Sequence, residues 1–169
     1  EAIIEAVAAR PAGCERVGLI GMEMVRPQAL ERVAAFLLRQ SCALSFSSLR
    51  ADVLAEKPLR QLLAAGGVKS AAIAPDGPSE RLRRVINKGV DADDCLFAAE
   101  ALVEAGVVNL KMYFMIGLPT EEEDDLREMV DLVRAVQERI NPIGRARGRL
   151  PEVHLSVNCF VPKAFTPFQ

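Results

Sequence analysis

Short apolar segments of strand length alternate with longer helical patterns along the chain, and this alternation is what most constrains the fold. Strands are predicted at residues 16–22, 44–48, 70–75, 109–116 and 153–161. Helices are predicted near residues 1–10, 28–39, 51–65, 80–86, 92–105 and 120–139. Strands and helices alternating at this spacing are typical of right-handed βαβ units around a parallel sheet.

The length and net charge of the chain limit the kinds of protein that it can be. The 169 residues fit a single domain, residues 1–169, that can bury a substantial core. No apolar run approaches the roughly 20 residues of a membrane span, so we expect no membrane insertion. A net charge of −2 and a pI near 5.6 disfavour nucleic-acid binding through bulk charge. The basic run GRARGR at 144–149 is predicted to lie in a solvated loop spanning residues 141–151.

The four cysteines are Cys14, Cys42, Cys95 and Cys159, and no CxxC or CxxxC spacing occurs among them. Scattered thiols without a secretory signal indicate a reduced, cytoplasmic protein, and their spacing builds no local metal site. The chain begins with a helical pattern and ends just after a strand-like segment. We therefore expect it to be a fragment of a larger protein.

One predicted strand has polar residues on a face that a parallel sheet normally buries. In KMYFMI, Met112 and Phe114 belong to an apolar face, whereas Lys111 and Tyr113 lie on the opposite one. Strands of parallel α/β sheets are usually apolar on both faces. This pattern predicts that Lys111 and Tyr113 look into a cavity.

A lysine in such a cavity needs an anionic partner, because burying an unpaired ammonium is costly. A ligand carboxylate, Glu23 or Asp76 could each serve. The other predicted strands also carry one small or polar face. Candidates to line the same cavity are Glu23, Ser47, His154, Ser156 and Asn158. The pattern favours a barrel or half-barrel with a ligand inside it, and an open doubly wound sheet is the alternative.

Helix-terminal signals account for the two groups of acidic residues near 91–94 and at 121–125. Asp91 and Asp94 predict an N-cap and an acidic first turn, and Gly106 predicts the end of that helix. Thr120 and Glu123 fit a capping box. We therefore interpret the acidic run at 121–125 as capping and not as a site.

Three segments together resemble radical S-adenosylmethionine enzymes. They are APDGPSERLRRVINKG at 74–89, KMYFMIGLPTEEEDD at 111–125 and FVPKAFTPFQ at 160–169. A fourth, SFSSLRAD at 45–52, is similar to a segment of the branch that carries a cobalamin-binding module. The four segments stand in the family's order and span nearly the whole chain.

This resemblance implies a partial (β/α) barrel, of which the five predicted strands would be the second to the sixth of six. It implies S-adenosylmethionine as a cofactor and a [4Fe–4S] cluster in the parent protein, and it leaves open whether the parent also binds cobalamin. The CxxxCxxC loop that binds the cluster in the family does not occur in this chain. We therefore expect the fragment alone to be inactive and its parent to generate a 5′-deoxyadenosyl radical.

The resemblance also assigns cofactor contacts, residue by residue. Asp76 would bind the ribose hydroxyls, and Ser79 would contact the methionyl moiety. Ile116 and Gly117 would pack on the adenine, with Val161 and Pro162 beside its edge. Arg81 and Lys111, with Tyr113 next to it, would make anionic contacts.

Two other interpretations stay open: a phosphate- or aldol-type (β/α) barrel and a non-catalytic binding module. The first would need a glycine-rich phosphate loop late in the barrel, and the sequence contains none. An arc of parallel strands would also leave two open edges, which predicts self-association of the fragment. Neither the substrate nor the reaction type follows from the sequence.

Overall fold

The computed structural model describes residues 1–20, 27–40, 43–55 and 57–168. Its strands are β1 (Arg16–Leu19), β2 (Ala43–Phe46), β3 (Ser48–Leu49), β4 (Ser70–Asp76), β5 (Asn109–Ile116) and β6 (Glu152–Cys159). Its α-helices are α1 (Ala2–Ala8), α2 (Pro27–Leu37), α3 (Lys57–Ala65), α4 (Glu80–Val85), α5 (Ala92–Glu104) and α6 (Glu123–Ala146). A 3-10 turn at Asp52–Ala55 precedes α3.

The strands run parallel and follow one another in chain order. β1 pairs with β2, and a second sheet has the order β3-β4-β5-β6. A doubly wound sheet reverses its strand order at a switch point, and no reversal occurs among the described strands. Right-handed crossovers that always advance in one direction place every helix on the same side. The fold is therefore the predicted α/β partial barrel.

The hydrophobic core lies on one side of this arc. Leu110, Met112 and Phe114 of β5 are each at most 1% exposed and belong to a cluster that includes Leu102 of α5 and Val136 of α6. Their β5 neighbours Lys111, Tyr113 and Met115 are not buried. Helices thus cover only the outer face of the sheet, and the inner face, which we call the lumen, stays open.

The predicted second strand is in fact two short strands that belong to different sheets. Leu44 of β2 and Leu49 of β3 are both buried, so the core-facing positions change from even to odd numbers at Ser47. Ser48 is consequently the residue level with Ala72 of β4. The prediction of one strand over 44–48 was wrong because a local alternation pattern does not reveal such a break.

The last helix is longer than predicted and begins later. It runs through Pro142 and Gly144, so the predicted 141–151 loop is shorter and the basic run begins inside the helix. Its N-terminal capping box consists of Glu122 and Asp125, not Thr120 and Glu123. The predicted cap at Asp91 and Asp94 and the helix end at Gly106 are confirmed.

The strand β6 lies at the edge of its sheet and carries apolar residues that the described part of the chain covers only in part. Leu155 and Val157, on its outer face, are 46% and 42% exposed. The predicted self-association would use such a surface, and it stays a prediction.

Within the described ranges, the helices lack the combination of length and apolar character that crossing a bilayer requires.

Gly144 provides a test of how α6 meets the start of β6. It is buried, and a Cβ there would lie 2.7 Å from the carbonyl oxygen of Arg149 and collide with the ring of Pro151. We expect Gly144→Ala to lower the free energy of unfolding by about 1–3 kcal/mol, because backbone must move to admit the methyl group. Urea denaturation followed by circular dichroism measures this change.

Glu138→Ala is the matched control, because Glu138 is exposed on the same helix. We expect it to change the free energy of unfolding by no more than about 0.5 kcal/mol. Equal effects of the two substitutions would contradict the close approach at Gly144.

Candidate functional site

The carboxyl ends of the parallel strands meet at one edge of the sheet, which we call the C-terminal rim. Asp76 ends β4 and pairs with Phe114 of β5. Ile116 ends β5, pairs with Cys159 of β6, and accepts a hydrogen bond of 2.8 Å from the Phe160 backbone N–H. Ligands of α/β sheets bind at this edge because the βα loops converge there.

Asp76 has a strained backbone. Its φ is +62°, and the Gly77 N–H donates to the Pro75 carbonyl at 2.8 Å, which closes a three-residue turn around Asp76. The register between β4 and β5 shifts between Ile73 and Asp76, as a β-bulge does. Backbone strain at a residue that is not glycine costs free energy and is concentrated at functional sites.

The Asp76 carboxylate is held by a lysine from the segment after α4. Lys88 Nζ lies 2.6 Å from Asp76 Oδ2, and the Lys88 carbonyl oxygen accepts a hydrogen bond of 3.4 Å from the Arg50 guanidinium. Oδ1 of Asp76 has no hydrogen-bond partner among the described residues. The carboxylate is therefore fixed in position and keeps one oxygen to accept a hydrogen bond.

The loop after β5 also needs unusual backbone conformations. Gly117 has a φ of +79°, and Thr120 has a φ of +67°. The Glu121 carboxylate accepts hydrogen bonds from the Gly117 N–H at 2.9 and 3.0 Å and from the Leu118 N–H at 3.4 Å. This arrangement leaves Gly117, which has no side chain, exposed at the rim beside Ile116.

Asp125 joins the two rim loops. It is 5% exposed and accepts hydrogen bonds from the Ser79 hydroxyl, the Arg81 guanidinium and, at 2.8 Å, the Glu122 backbone N–H. Burial by itself would raise the pKa of this carboxyl, but the hydrogen bonds from Ser79, Arg81 and Glu122 outweigh it and lower the pKa. The acidic run predicts only a capping role for Asp125, and its contacts with Ser79 and Arg81 were not predicted.

Arg81 extends this connection. Besides Asp125, its guanidinium donates to the Thr120 carbonyl at 2.7 Å and to the Thr120 hydroxyl at 3.2 Å. The predicted anionic partner of Arg81 is therefore a side chain of this chain. The Ser79 hydroxyl is fully buried, donates to Asp125 and accepts from the Leu82 N–H at 3.1 Å. As arranged here, it stabilises the loop and is not accessible to a methionyl group.

Arg83, which the sequence patterns do not single out, stabilises the turn at Asp76. Its side chain is 1% exposed and donates to the carbonyl oxygens of Val90 at 3.0 Å and Gly77 at 3.4 Å. A Cβ on Gly77 would lie 2.7 Å from the Arg83 backbone nitrogen, so the turn packs directly on α4. Nearby, burial raises the pKa of the Cys95 thiol to about 12, which makes it unreactive.

The lumen contains the other predicted residues. Lys111 is exposed, with its Nζ 5.0 Å from the centroid of the Tyr113 ring. Of the three anionic partners that the sequence leaves open for Lys111, Asp76 pairs instead with Lys88. His154 neighbours Lys111 in the next strand, and its Nε2 lies 3.3 Å from Glu152 Oε2.

The remaining candidates are dispersed. Ser156 and Asn158 continue the His154 face of β6, level with Tyr113 and Met115 of β5.

Three further candidates lie outside this face. Val161, 73% exposed, and Pro162 follow β6 at the rim. Ser47 lies at the break between β2 and β3, with its N–H 3.1 Å from the Leu19 carbonyl. Glu23 lies outside the described residues.

The described residues contain no group of three or more histidine, cysteine, aspartate or glutamate side chains that could hold a metal ion. The described cysteines are likewise dispersed, with Cys95 buried and Cys14 and Cys159 exposed. A [4Fe–4S] cluster therefore does not fit these residues of the chain.

Comparison with known proteins identifies the family. The radical SAM superfamily matches residues 1–133. The chain belongs to this superfamily. The uncharacterized protein MJ0966 of Methanocaldococcus jannaschii is 33% identical over 154 residues, which are 91% of this chain and 32% of that protein. The chain thus spans about a third of the length of this curated relative.

A solved structure of a radical SAM enzyme has a similar fold. Coproporphyrinogen III oxidase (HemN) from Escherichia coli is 14% identical, with a TM-score of 0.63 over 94% of this chain and 36% of that one. The cobalamin-dependent S-adenosylmethionine radical enzyme OxsB, with aqua-cobalamin bound, is 18% identical. Its TM-score is 0.49, over 63% of this chain and 16% of OxsB. At these identities the HemN match supports the fold alone.

The lowered pKa of Asp125 predicts how stability responds to acid. Its stabilising contribution is fully present above the pKa of an unfolded aspartate, about 4, and is lost as the pH falls through the lower folded value. We expect Asp125→Asn to destabilise the protein at pH 7 and the difference from wild type to shrink below about pH 4. Chemical denaturation at a series of pH values measures it.

Asp124→Asn is the matched control. Asp124 lies in the same first turn of α6, so it shares the helix dipole, but its side chain is 86% exposed. A pH dependence of equal size in both variants would show that the dipole, and not the link to Ser79 and Arg81, accounts for the effect.

Proposed function

We propose that this chain contributes part of the S-adenosylmethionine pocket in the catalytic core of a radical SAM enzyme. The observation that carries the proposal is Asp76, whose backbone is strained and whose carboxylate lies at the C-terminal rim. Lys88 fixes this carboxylate through Oδ2, and Oδ1 is available to a ligand. A hydroxyl-rich ligand such as a ribose suits this carboxylate, because a charged acceptor forms stronger hydrogen bonds than a neutral one.

The neighbouring residues suit the adenine end of the same cofactor. Gly117 adds no side chain at the rim, and Ile116 adds an apolar one, so a flat base could lie against this backbone. Val161 and Pro162 would bound its edge. Bound to a reduced [4Fe–4S] cluster, S-adenosylmethionine supplies the 5′-deoxyadenosyl radical that family members use. The part of this chain in that chemistry is to bind and orient the nucleoside.

The rest of the active site belongs to the whole protein. We infer that the cluster ligands are not part of this chain, whose sequence contains no CxxxCxxC, so that the chain alone is inactive. Cobalamin in the parent is inferred from residues 45–52 alone and stays a prediction. The link through Asp125 supports the proposal, because a pocket shared by two loops needs both loops at a fixed separation.

Substitution at Asp76 tests the proposal in the full-length protein, reconstituted anaerobically with iron and sulfide. We expect Asp76→Asn to weaken S-adenosylmethionine binding at least about tenfold, because a hydrogen bond to a charged group contributes about 1.5–3 kcal/mol. Asp76→Glu should retain most of the affinity. Isothermal titration calorimetry measures both, and circular dichroism checks that each variant folds.

Asp93→Asn is the control, because Asp93 is an exposed carboxylate in the first turn of α5, away from the rim. The proposal fails if Asp76→Asn folds and binds S-adenosylmethionine as tightly as this control. If the wild-type protein folds but binds no S-adenosylmethionine, a non-catalytic binding module becomes the better interpretation.

A further inference from the structure

A cavity of about 540 Å³ opens on the lumen face at the amino-terminal half of the strands, away from the rim. Residues lining it include Phe46, Ser70, Ala72, Asn109, Lys111 and His154. We propose that this cavity binds the carboxylate of a monoanionic, otherwise apolar ligand, with Lys111 as the cation that recognises it. The proposal deepens the proposed function and rests on it, since a ligand here would be the substrate of the same barrel.

Lys111 is the residue that carries the inference. No hydrogen bond or ion pair joins its ammonium to another described residue, and its contact is the face of the Tyr113 ring, 5.0 Å from Nζ. An aromatic face stabilises and orients a cation but does not neutralise its charge. The ammonium therefore stays available to an anion in the cavity.

The surroundings of Lys111 leave room for a ligand and favour one anionic group. Its neighbours in register are Ala72 of β4, which has a small side chain, and His154 of β6. His154 lies 3.3 Å from the carboxylate of Glu152, so a negative charge also lies beside the cavity. With one unpaired lysine and one carboxylate nearby, a single negative charge fits this cavity better than a phosphate dianion.

The rest of the lining specifies the body of the ligand. Phe46 and Ala72 present apolar surface, while Ser70 and Asn109 bond to each other at 3.3 Å between Oγ and Nδ2. Such a mixture of apolar walls with one charged group is typical of small-molecule sites. A hydrocarbon or aromatic body ending in a carboxylate satisfies both parts.

The height of Lys111 in the barrel separates this site from the cofactor. Asp76 is level with Phe114, three residues beyond Lys111 along β5. At about 3.3 Å per residue, Lys111 lies about 10 Å below the level of Asp76. A lysine at that depth suits a substrate that extends down the lumen and not the nucleoside at the rim, which changes the role predicted for Lys111 from the sequence.

The test uses the full-length protein with 4-phenylbutyrate as the probe and 4-phenylbutyramide as its neutral counterpart. We expect the carboxylate to bind at least tenfold more tightly than the amide. Lys111→Gln should remove that difference, and Lys111→Arg should keep most of it. Equilibrium dialysis at low and high salt measures the affinities, and the preference should shrink as salt screens the charge.

Lys69→Gln is the matched control, because Lys69 is exposed just before β4 and its side chain lies near Gly106, outside the lumen. It should bind both probes as the wild type does. The inference is overturned if Lys111→Gln keeps the preference for the carboxylate, or if inorganic phosphate competes as strongly as 4-phenylbutyrate.

Titration of the same proteins with S-adenosylmethionine separates this inference from the proposed function. If the wild type binds no S-adenosylmethionine, the proposed function fails, while the probe affinities still decide whether Lys111 forms an anion site. If Lys111→Gln weakens S-adenosylmethionine binding tenfold, Lys111 belongs to the cofactor and the inference is overturned.

Discussion

The buried carboxylate of Asp125 is the contact on which the geometry of the C-terminal rim depends. It joins Ser79 and Arg81, after β4, to the start of α6, after β5. A buried carboxylate that lost these donors would be costly, so the two loops are stable only when they lie together. Asp76 and Gly117 each lie at the start of one of these loops, so the contact holds together the two segments that follow them.

The open lumen follows from the parallel strands in chain order. Because the helices all cover one face, the opposite face can hold polar side chains without burying them unpaired. The rim holds Asp76 and the deeper lumen holds Lys111, so two ligands of different chemistry can occupy one barrel. We assign the nucleoside to the rim and an apolar carboxylate to the lumen.

Local periodicity predicted much of the fold. The bounds predicted for β5 are the observed ones, and the alternation of residues within it was enough to place Lys111 and Tyr113 on one face. The predicted element bounds were wrong where the tertiary structure interrupts or extends the local hydrophobic pattern. The change of parity at Ser47 and the continuation of α6 through Pro142 are of this kind.

The sequence by itself determined the order of the elements, their apolar faces and the family, because these follow from spacing between near neighbours and from motifs. Only the tertiary structure decided the partners. Ser79 and Asp125 are 46 residues apart and meet because β4 and β5 are adjacent. Lys88, not Lys111, pairs with Asp76 because the chain returns over the rim after α4. Which charged side chains pair depends on which strands are adjacent in the sheet, and no local sequence pattern contains that information.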